Sequence, residues 1–153
     1  MLVGLIADTH GLLRPEVFGA LRGVELILHA GDVGGDSVLR ELEAIAPVRA
    51  VYGNTDAPGQ PGLAQSVRLQ VGGLSVHVSH GHELGRPTPE TLLRRYDADV
   101  IVYGHTHKPL ITWVGDRLVV NPGAAGPRRF DLKPSVARLA LENGRATVEL
   151  VRL

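Results

Sequence analysis

The chain has 153 residues, 16 basic and 16 acidic side chains and a formal net charge of zero. This length is typical of one domain with its own hydrophobic core, so we expect a single domain over residues 1–153. The absence of cysteine excludes thiolate metal sites and thiol catalysis, and the charge balance argues against binding to long nucleic acids through bulk positive charge.

The first third of the chain alternates between strand and helix patterns. Near-continuous apolar runs at 2–7, 25–30 and 48–52 predict buried strands. A helix is predicted from about Arg14, and a second helix is predicted to be capped by Asp36. This order of elements predicts parallel strands joined by right-handed crossovers.

Beyond Asn54 the pattern changes to hairpins. Residues 56–63 are rich in proline and glycine and predict a loop. One more helix is predicted, with Thr88 as its cap and Pro89 in its first position, before a buried strand at 100–103. Tight turns are predicted at Gly72-Gly73, Gly115-Asp116 and Asn143-Gly144. A mixed α/β (α+β) fold, half parallel and half antiparallel, is the simplest result.

The N-terminal segment is apolar for only a few residues before Asp8, and no charged leader precedes it. We therefore expect no signal peptide. No apolar run approaches the roughly 18 residues that a membrane span requires. The expectation is a soluble cytoplasmic protein without a membrane partner.

Seven histidines against two lysines are the unusual feature of the composition. Four of these histidines follow predicted strands, together with two aspartates and one asparagine: Asp8, His10, Asp32, Asn54, His80, His105 and His107. The carboxyl ends of strands are where binding sites form in open α/β sheets. Seven ligands are too many for one zinc- or manganese-type ion, but they suit two ions that share a bridging carboxylate. Two carboxylates leave part of the metal charge available for an anionic phosphate ester.

The segments that carry these residues resemble the motifs of calcineurin-like metallophosphoesterases, in particular the small prokaryotic phosphodiesterase branch. The matches are D-x-H at 8–10, G-D at 31–32, G-N-x-D at 53–56, H-G-H at 80–82, G-H-x-H at 104–107 and N-P-G-A at 121–124. Any one of them occurs by chance, whereas the ordered set after predicted strands is specific. The resemblance implies a four-layer αββα sandwich of two mixed β-sheets flanked by helices.

The resemblance also implies two divalent metal ions per chain, with manganese first and iron, zinc, nickel or cobalt as alternatives. One ion would be held by Asp8, His10, Asp32 and His107. The other would be held by Asp32, Asn54, His80 and His105, with Asp32 bridging. The implied activity is a phosphodiesterase acting on small phosphoesters, in which a metal-bridging hydroxide attacks phosphorus in line. The implied catalytic residues are Asp32, Asn54 and His82.

One position departs from the family pattern. Many relatives carry a histidine where Thr55 stands, and a threonine cannot replace an imidazole as a general acid. His82 and water are then the candidate proton donors.

Several other residues have structural interpretations. His29 lies inside an apolar strand and is predicted to be a core or supporting residue, and His77 is predicted to be structural. His82 stays open between substrate contact and support. Arg128-Arg129 is either a phosphate site or a solvated pair, and the solvated pair is favoured. The segment 121–124 is either a simple turn or a support for the metal ligands.

Three alternatives to the phosphodiesterase hypothesis stay open. A phosphomonoesterase or a nuclease would use the same site. A metal-binding scaffold module would keep the fold without activity. Small members of the family often form homo-dimers or homo-tetramers, so either assembly is an expectation here.

Overall fold

The computed structural model describes all of residues 1–153. Its strands are β1 (Leu2–Ile6), β2 (Leu26–His29), β3 (Val48–Val51), β4 (Leu63–Ala64), β5 (Val67–Val71), β6 (Leu74–Val78), β7 (Val100–Val102), β8 (Leu110–Val114), β9 (Arg117–Asn121), β10 (Ser135–Glu142) and β11 (Arg145–Arg152). Its helices are α1 (Glu16–Ala20), α2 (Asp36–Glu43) and α3 (Pro89–Arg95), with a short 3-10 turn at His82–Leu84. None of these helices has the length and apolar character needed to cross a membrane.

The strands form two mixed sheets, ordered β11-β10-β1-β2-β3-β4 and β5-β6-β7-β9-β8. In the first sheet β1 to β4 are parallel, and the β10–β11 hairpin joins the free edge of β1 in the antiparallel direction. In the second sheet β6, β7 and β9 are parallel, with antiparallel strands at both edges. Because the parallel strands end level with one another, the loops that follow them meet at one end of the molecule.

Three apolar layers hold the sandwich together. The largest lies between the sheets, where Leu5 and Leu28 of one sheet belong to the same buried cluster as Val78 and Val102 of the other. A second layer packs α1 and α2 on the outer face of the first sheet. A third packs α3 on the outer face of the second sheet through Leu92. This arrangement confirms the predicted four-layer αββα sandwich.

The ends of the helices follow the predicted residues closely. Thr88 caps α3 in a reciprocal capping box with Thr91, as expected from its position before Pro89. The cap predicted at Asp36 is wrong by one residue, because Asp36 already belongs to the helix. The cap position is held by Gly35, whose φ of 131° disfavours any residue with a side chain.

Candidate metal centre

All seven predicted ligands lie at the end of the sandwich where the parallel strands terminate. Each follows a strand: β1, β2 and β3 in one sheet, and β6 and β7 in the other. Within this group every residue approaches at least one other to 4.0 Å or less between polar atoms. The residues singled out by their positions after predicted strands therefore lie close together in the structure.

The two carboxylates face the imidazoles directly. Asp8 Oδ1 lies 3.5 Å from Nε2 of His107 and 3.8 Å from Nε2 of His80. Asp32 Oδ2 lies 3.3 Å from the same His80 nitrogen and 3.8 Å from Nε2 of His10. The Nε2 atoms of His10 and His107 are 3.3 Å apart. Asp32 thus faces histidines from both predicted ligand groups.

Asn54 closes the second side of the cluster. Its Oδ1 lies 3.1 Å from Nε2 of His80 and 3.1 Å from Nδ1 of His105. An amide oxygen adds a ligand atom without adding negative charge. Asn54, His80 and His105 therefore converge on one point, as the predicted second ligand group requires.

These residues fit divalent metal ions. Asp8 Oδ1 is a buried carboxylate oxygen with no hydrogen-bond partner, which is an unfavourable state unless a cation or a donor compensates it. Two donor sets lie with their atoms within 4.8 Å of one another: Asp8, His10 and His107, and Asp8, Asp32 and His80. Nitrogen and oxygen donors without sulfur suit manganese, iron, cobalt, nickel and zinc. Asp8 belongs to both sets, whereas the predicted division gives it to one ion only.

The backbone at the ligands is left-handed. Positive φ angles occur at Asp8 (54°), His10 (47°), Asp32 (53°), His105 (70°) and His107 (64°). A residue with a side chain loses on the order of 1–3 kcal/mol in such a conformation, although Asp, Asn and His tolerate it better than most. Five left-handed residues in three loops of one site indicate that the fold maintains the geometry at an energetic cost.

Glycine is needed where the loops cross most closely. A Cβ on Gly53 would lie 2.1 Å from Asp32 Oδ1, and one on Gly31 would lie 2.7 Å from His80 Nδ1. Any side chain at these positions would displace the ligand beside it. The G-D and G-N pairs in the sequence therefore have a steric reason.

His80 is oriented by a buried hydrogen bond. Its Nδ1 donates to the carbonyl of Ala30 over 2.7 Å, which leaves Nε2 facing the two carboxylates. A histidine that donates one ring N–H to a carbonyl presents its other nitrogen as a metal ligand. The ring is thus oriented so that Nε2, which donates to Asp32 in the metal-free protein, would become the ligand atom once a metal ion displaced its proton.

His29 supports the same region from inside β2. Its Nδ1 accepts from the Gly31 N–H over 3.1 Å, so Nε2 carries the proton and donates to Thr9 Oγ1 over 3.0 Å. The Thr9 hydroxyl in turn donates to the carbonyl of Val33. This buried chain joins the D-x-H loop to the G-D loop, and it confirms the supporting role predicted for His29.

Asp56 is a structural anchor whose role the sequence did not reveal. It is buried, and its carboxylate accepts from the backbone N–H groups of Val33, Gly34 and Gly53 at 2.9–3.0 Å. Charge-assisted bonds of this kind are among the stronger ones in proteins. Asp56 therefore fixes the loops of Asp32 and Asn54 to one another.

Asn121 plays the equivalent part in the second sheet. It is fully buried at the end of β9, and its Nδ2 donates to the Gly104 carbonyl over 3.1 Å and to Thr106 Oγ1 over 3.0 Å. Its Oδ1 accepts from the Gly123 N–H over 2.9 Å. The segment 121–124 thus supports the turn that carries His105 and is more than a simple turn.

Burial and charge shift the pKa values of the two carboxylates in opposite directions. Desolvation of Asp8 raises its pKa to about 7, even though the charge of His80 opposes the shift. Burial also disfavours the charged form of Asp32, but hydrogen bonds from His80 and from the Thr55 backbone N–H outweigh it and hold its pKa below the usual range. Asp32 is therefore the carboxylate that stays ionised across the physiological range.

The pKa values of the histidines also shift in opposite directions. Burial disfavours the charged form of His80, yet its hydrogen bond to Asp32 and the nearby Asp8 charge raise its pKa. Burial lowers the pKa of His10 and of His105, and it lowers that of His107 to about 4. Neutral imidazoles are the form that binds metal.

His82 and Thr55 lie at the edge of the centre. The ring centroid of His82 is 5.3 Å from that of His80 and 6.3 Å from that of His105. Thr55 contributes its backbone N–H to Asp32 Oδ1 over 2.9 Å. His82 is thus positioned beside the ligands without bonding to either carboxylate.

Two further positions were weighed in the sequence. His77 is buried in β6 with its ring stacked on Tyr96 at 3.8 Å between centroids, which confirms its structural role. Arg128 and Arg129 are both exposed, as the favoured solvated-pair interpretation requires. Burial is the main cause of the lowered pKa of His107, and the positive charge of Arg129 lowers it further. Arg129 therefore acts electrostatically on the centre.

Two facing mixed sheets that carry aspartate, asparagine and histidine donors at their strand ends are the arrangement of metallophosphoesterases. The sequence profile of the calcineurin-like phosphoesterase superfamily domain matches residues 1–144. The chain belongs to this superfamily, whose members bind divalent metal ions.

A probable metallophosphoesterase of Methanothermobacter thermautotrophicus is 39% identical over 99% of this chain and 92% of its own length. Among solved structures, Vps29 of Entamoeba histolytica complexed with zinc superposes with a TM-score of 0.81 at 27% identity, covering 99% of both chains. An archaeal phosphodiesterase superposes with a TM-score of 0.75 at 26% identity, covering 99% of this chain and 100% of that one. The chain thus resembles both enzymes and a Vps29 protein.

The anchoring role of Asp56 predicts a loss of stability in Asp56→Asn. An asparagine keeps one acceptor oxygen and points an NH₂ group at a backbone N–H, so we expect the metal-free protein to lose about 2 kcal/mol of unfolding free energy. Urea denaturation would measure the change. Asp97→Asn, which replaces an exposed aspartate, is the matched control and should change stability by less than about 0.5 kcal/mol. Equal stability of Asp56→Asn and wild type would contradict the assignment.

The burial of His29 predicts a pH-dependent term in stability. Burial lowers its pKa from 6.5 to about 3 in the folded state, so the unfolded chain binds one more proton between these values. This term therefore reduces the free energy of unfolding by about 1.4 kcal/mol for each pH unit below about 6.5.

His29→Gln removes the titrating group. The stability difference between wild type and this variant should shrink as the pH of metal-free samples falls from 7 to 5, and it should be constant above pH 7. Urea denaturation at each pH would measure it. Parallel curves over the whole range would show that His29 is not buried in the neutral form.

Proposed function

We propose that this chain is a phosphodiesterase that holds two divalent metal ions in its cluster of seven ligands. The observation that carries the proposal is the buried Asp8 Oδ1, which has no hydrogen-bond partner and faces imidazole nitrogens from separate loops. A structural histidine cluster would pair such an oxygen with a donor. A catalytic metal site instead keeps it available for a cation.

The proposed division follows the predicted one. Asp8, His10, Asp32 and His107 would hold one ion, and Asp32, Asn54, His80 and His105 the other. When bound, two such ions would polarise the phosphoryl oxygens, make water nucleophilic near neutral pH and offset charge on the leaving oxygen. Manganese is the proposed metal, with iron, zinc, nickel and cobalt as alternatives.

Asp32 is the proposed bridging ligand. Its Oδ2 faces His80 on one side and His10 on the other. Its Oδ1 is tied to the Thr55 backbone N–H, which fixes the rotation of the carboxylate. The depressed pKa of Asp32 keeps it anionic, as a shared ligand must be.

His82 is the proposed proton donor to the leaving oxygen. It lies next to His80 and His105. The other imidazole outside the ligand set in this region, His29, is fully buried with both ring nitrogens hydrogen-bonded. Thr55 cannot supply a proton at neutral pH. Proton donation matters most for esters whose leaving alcohol is weakly acidic.

Small phosphodiesters are the proposed substrates. One structural relative is an archaeal phosphodiesterase of nearly identical extent, and the zero net charge of the chain disfavours long nucleic acids. A metal-binding scaffold without activity is the second candidate, because a shared fold does not by itself imply catalysis. A homo-dimer or homo-tetramer stays a prediction.

Removal of predicted ligands should abolish hydrolysis. We expect manganese-loaded wild type to cleave bis(4-nitrophenyl) phosphate, and Asp32→Ala and His107→Ala to lower kcat/KM by more than about 100-fold, since loss of a ligand costs more than loss of its supporting residue. Release of 4-nitrophenolate measures the rate. His77→Gln is the matched control, because it replaces a buried histidine outside the centre and should retain activity.

Metal analysis of the same samples separates the hypotheses. Two manganese ions per chain in wild type, with fewer in the ligand variants, would support the proposed centre. Fewer than one ion per chain, with no rate above that of the variants, would favour the scaffold. Faster cleavage of 4-nitrophenyl phosphate than of the diester would instead make the chain a phosphomonoesterase.

A second test concerns His82. If His82 donates the proton, His82→Gln should lower the rate about 100-fold for ethyl phenyl phosphate, whose leaving group needs protonation, and much less for ethyl 4-nitrophenyl phosphate. Steady-state kinetics on the loaded enzyme gives both values. Equal losses on the two esters would assign His82 a role in binding or support.

A further inference from the structure

A polar cavity of about 730 Å³ opens beside the candidate centre. One wall is the turn after β7, which contributes His105, Thr106 and Lys108. The opposite wall is the segment that follows the 3-10 turn and includes Arg86. Since His105 is also a proposed metal ligand, the cavity borders the proposed metal centre.

The cavity is cationic although the chain as a whole is neutral. Its lining contains Arg86 and Lys108 and no carboxylate. Neither cation forms an ion pair within the chain, and neither side chain makes a hydrogen bond to another residue. Their charges are therefore free to meet an anion.

Thr106 adds a hydroxyl to this wall. Its Oγ1 accepts from Asn121 Nδ2 over 3.0 Å and from the Lys108 backbone N–H over 3.3 Å. With both lone pairs used, the hydroxyl proton remains to be donated. The bonds from Asn121 to Thr106 and to Gly104 also fix the wall relative to His105.

The lining offers more to an anionic ligand than to an apolar one. No hydrophobic residue lines the cavity, and His105 is its one aromatic ring. Two unpaired cations and a free hydroxyl donor are instead the groups that recognise phosphate.

We infer that this cavity is a second anion subsite, which binds a phosphate group carried on one ester arm of the substrate. The inference rests on the proposed phosphodiesterase function and narrows its substrates to diesters with an additional phosphate. Arg86, Lys108 and Thr106 would contact that phosphate while the scissile group lies at the ligands.

A pair of chromogenic nucleotides that differ by one phosphate tests the subsite. The first is the 4-nitrophenyl ester of thymidine 5′-monophosphate, and the second is the same ester with a 3′-phosphate. With manganese-loaded wild type we expect kcat/KM to favour the second by about tenfold or more, the factor that one charge-assisted hydrogen bond supplies. In Arg86→Gln/Lys108→Gln this ratio should fall to near one.

The matched control is Arg22→Gln/Arg49→Gln, which removes two exposed arginines near the amino ends of β2 and β3 and should keep the wild-type ratio. A ratio near one in wild type, or an unchanged ratio in Arg86→Gln/Lys108→Gln, would overturn the subsite while leaving the phosphodiesterase proposal intact. Failure of wild type to cleave either ester would count against the proposed function itself.

Equilibrium binding tests the subsite without turnover. Thymidine 3′,5′-bisphosphate should bind the loaded wild type at least about tenfold more tightly than thymidine 5′-monophosphate in calorimetric titrations. The advantage should disappear in Arg86→Gln/Lys108→Gln and persist in the control. Equal affinity of the two nucleotides for wild type would overturn the inference even if the protein were inactive.

Discussion

The buried carboxylate of Asp8 is the constraint around which this end of the molecule is built. One of its oxygens accepts from the His105 backbone N–H over 3.1 Å, and the other has no hydrogen-bond partner. Burying such an oxygen without a partner costs free energy, which the packing around it must offset. This packing comes from β1, which lies between β2 and β10 inside the first sheet and packs against the second sheet. The other ligand loops must approach this fixed carboxylate closely. Their left-handed residues, and the glycines Gly31 and Gly53, make that approach possible.

The ligand set could be predicted from the sequence because each member directly follows an apolar run. Asp8, Asp32 and His105 stand next to strands that are recognisable locally, and parallel strands deliver their ends to one place. The residues that hold the ligand loops in place, Asp56 and Asn121, could not be predicted in this way. Asp56 bonds to backbone groups 22–23 residues away, and Asn121 reaches Gly104 across 17 residues. Such contacts depend on how loops meet, and a buried acceptor has the same local sequence as an ordinary turn residue.

The fold alone does not decide whether this chain is an enzyme, since a phosphodiesterase and Vps29 share the sandwich and fold does not imply function. The difference must lie in the side chains at the strand ends. In this chain they include donors with depressed and elevated pKa values side by side, as Asp32 and Asp8 illustrate. Perturbed pKa values are common at functional sites. The proposal of catalysis therefore rests on these side chains and not on the shared architecture.

The place of β1 in the sheet also has a consequence for biosynthesis. Its residues Leu2 to Leu5 pair with Ala140 to Ala137, so the two strands are separated by almost the whole chain. During translation β1 is made well before β10, so one of its edges stays unpaired until β10 has been made. An exposed apolar strand edge is a site for aggregation. The loop that carries Asp8 and His10 therefore follows a strand that is fully paired only after residues 137–140 have been made.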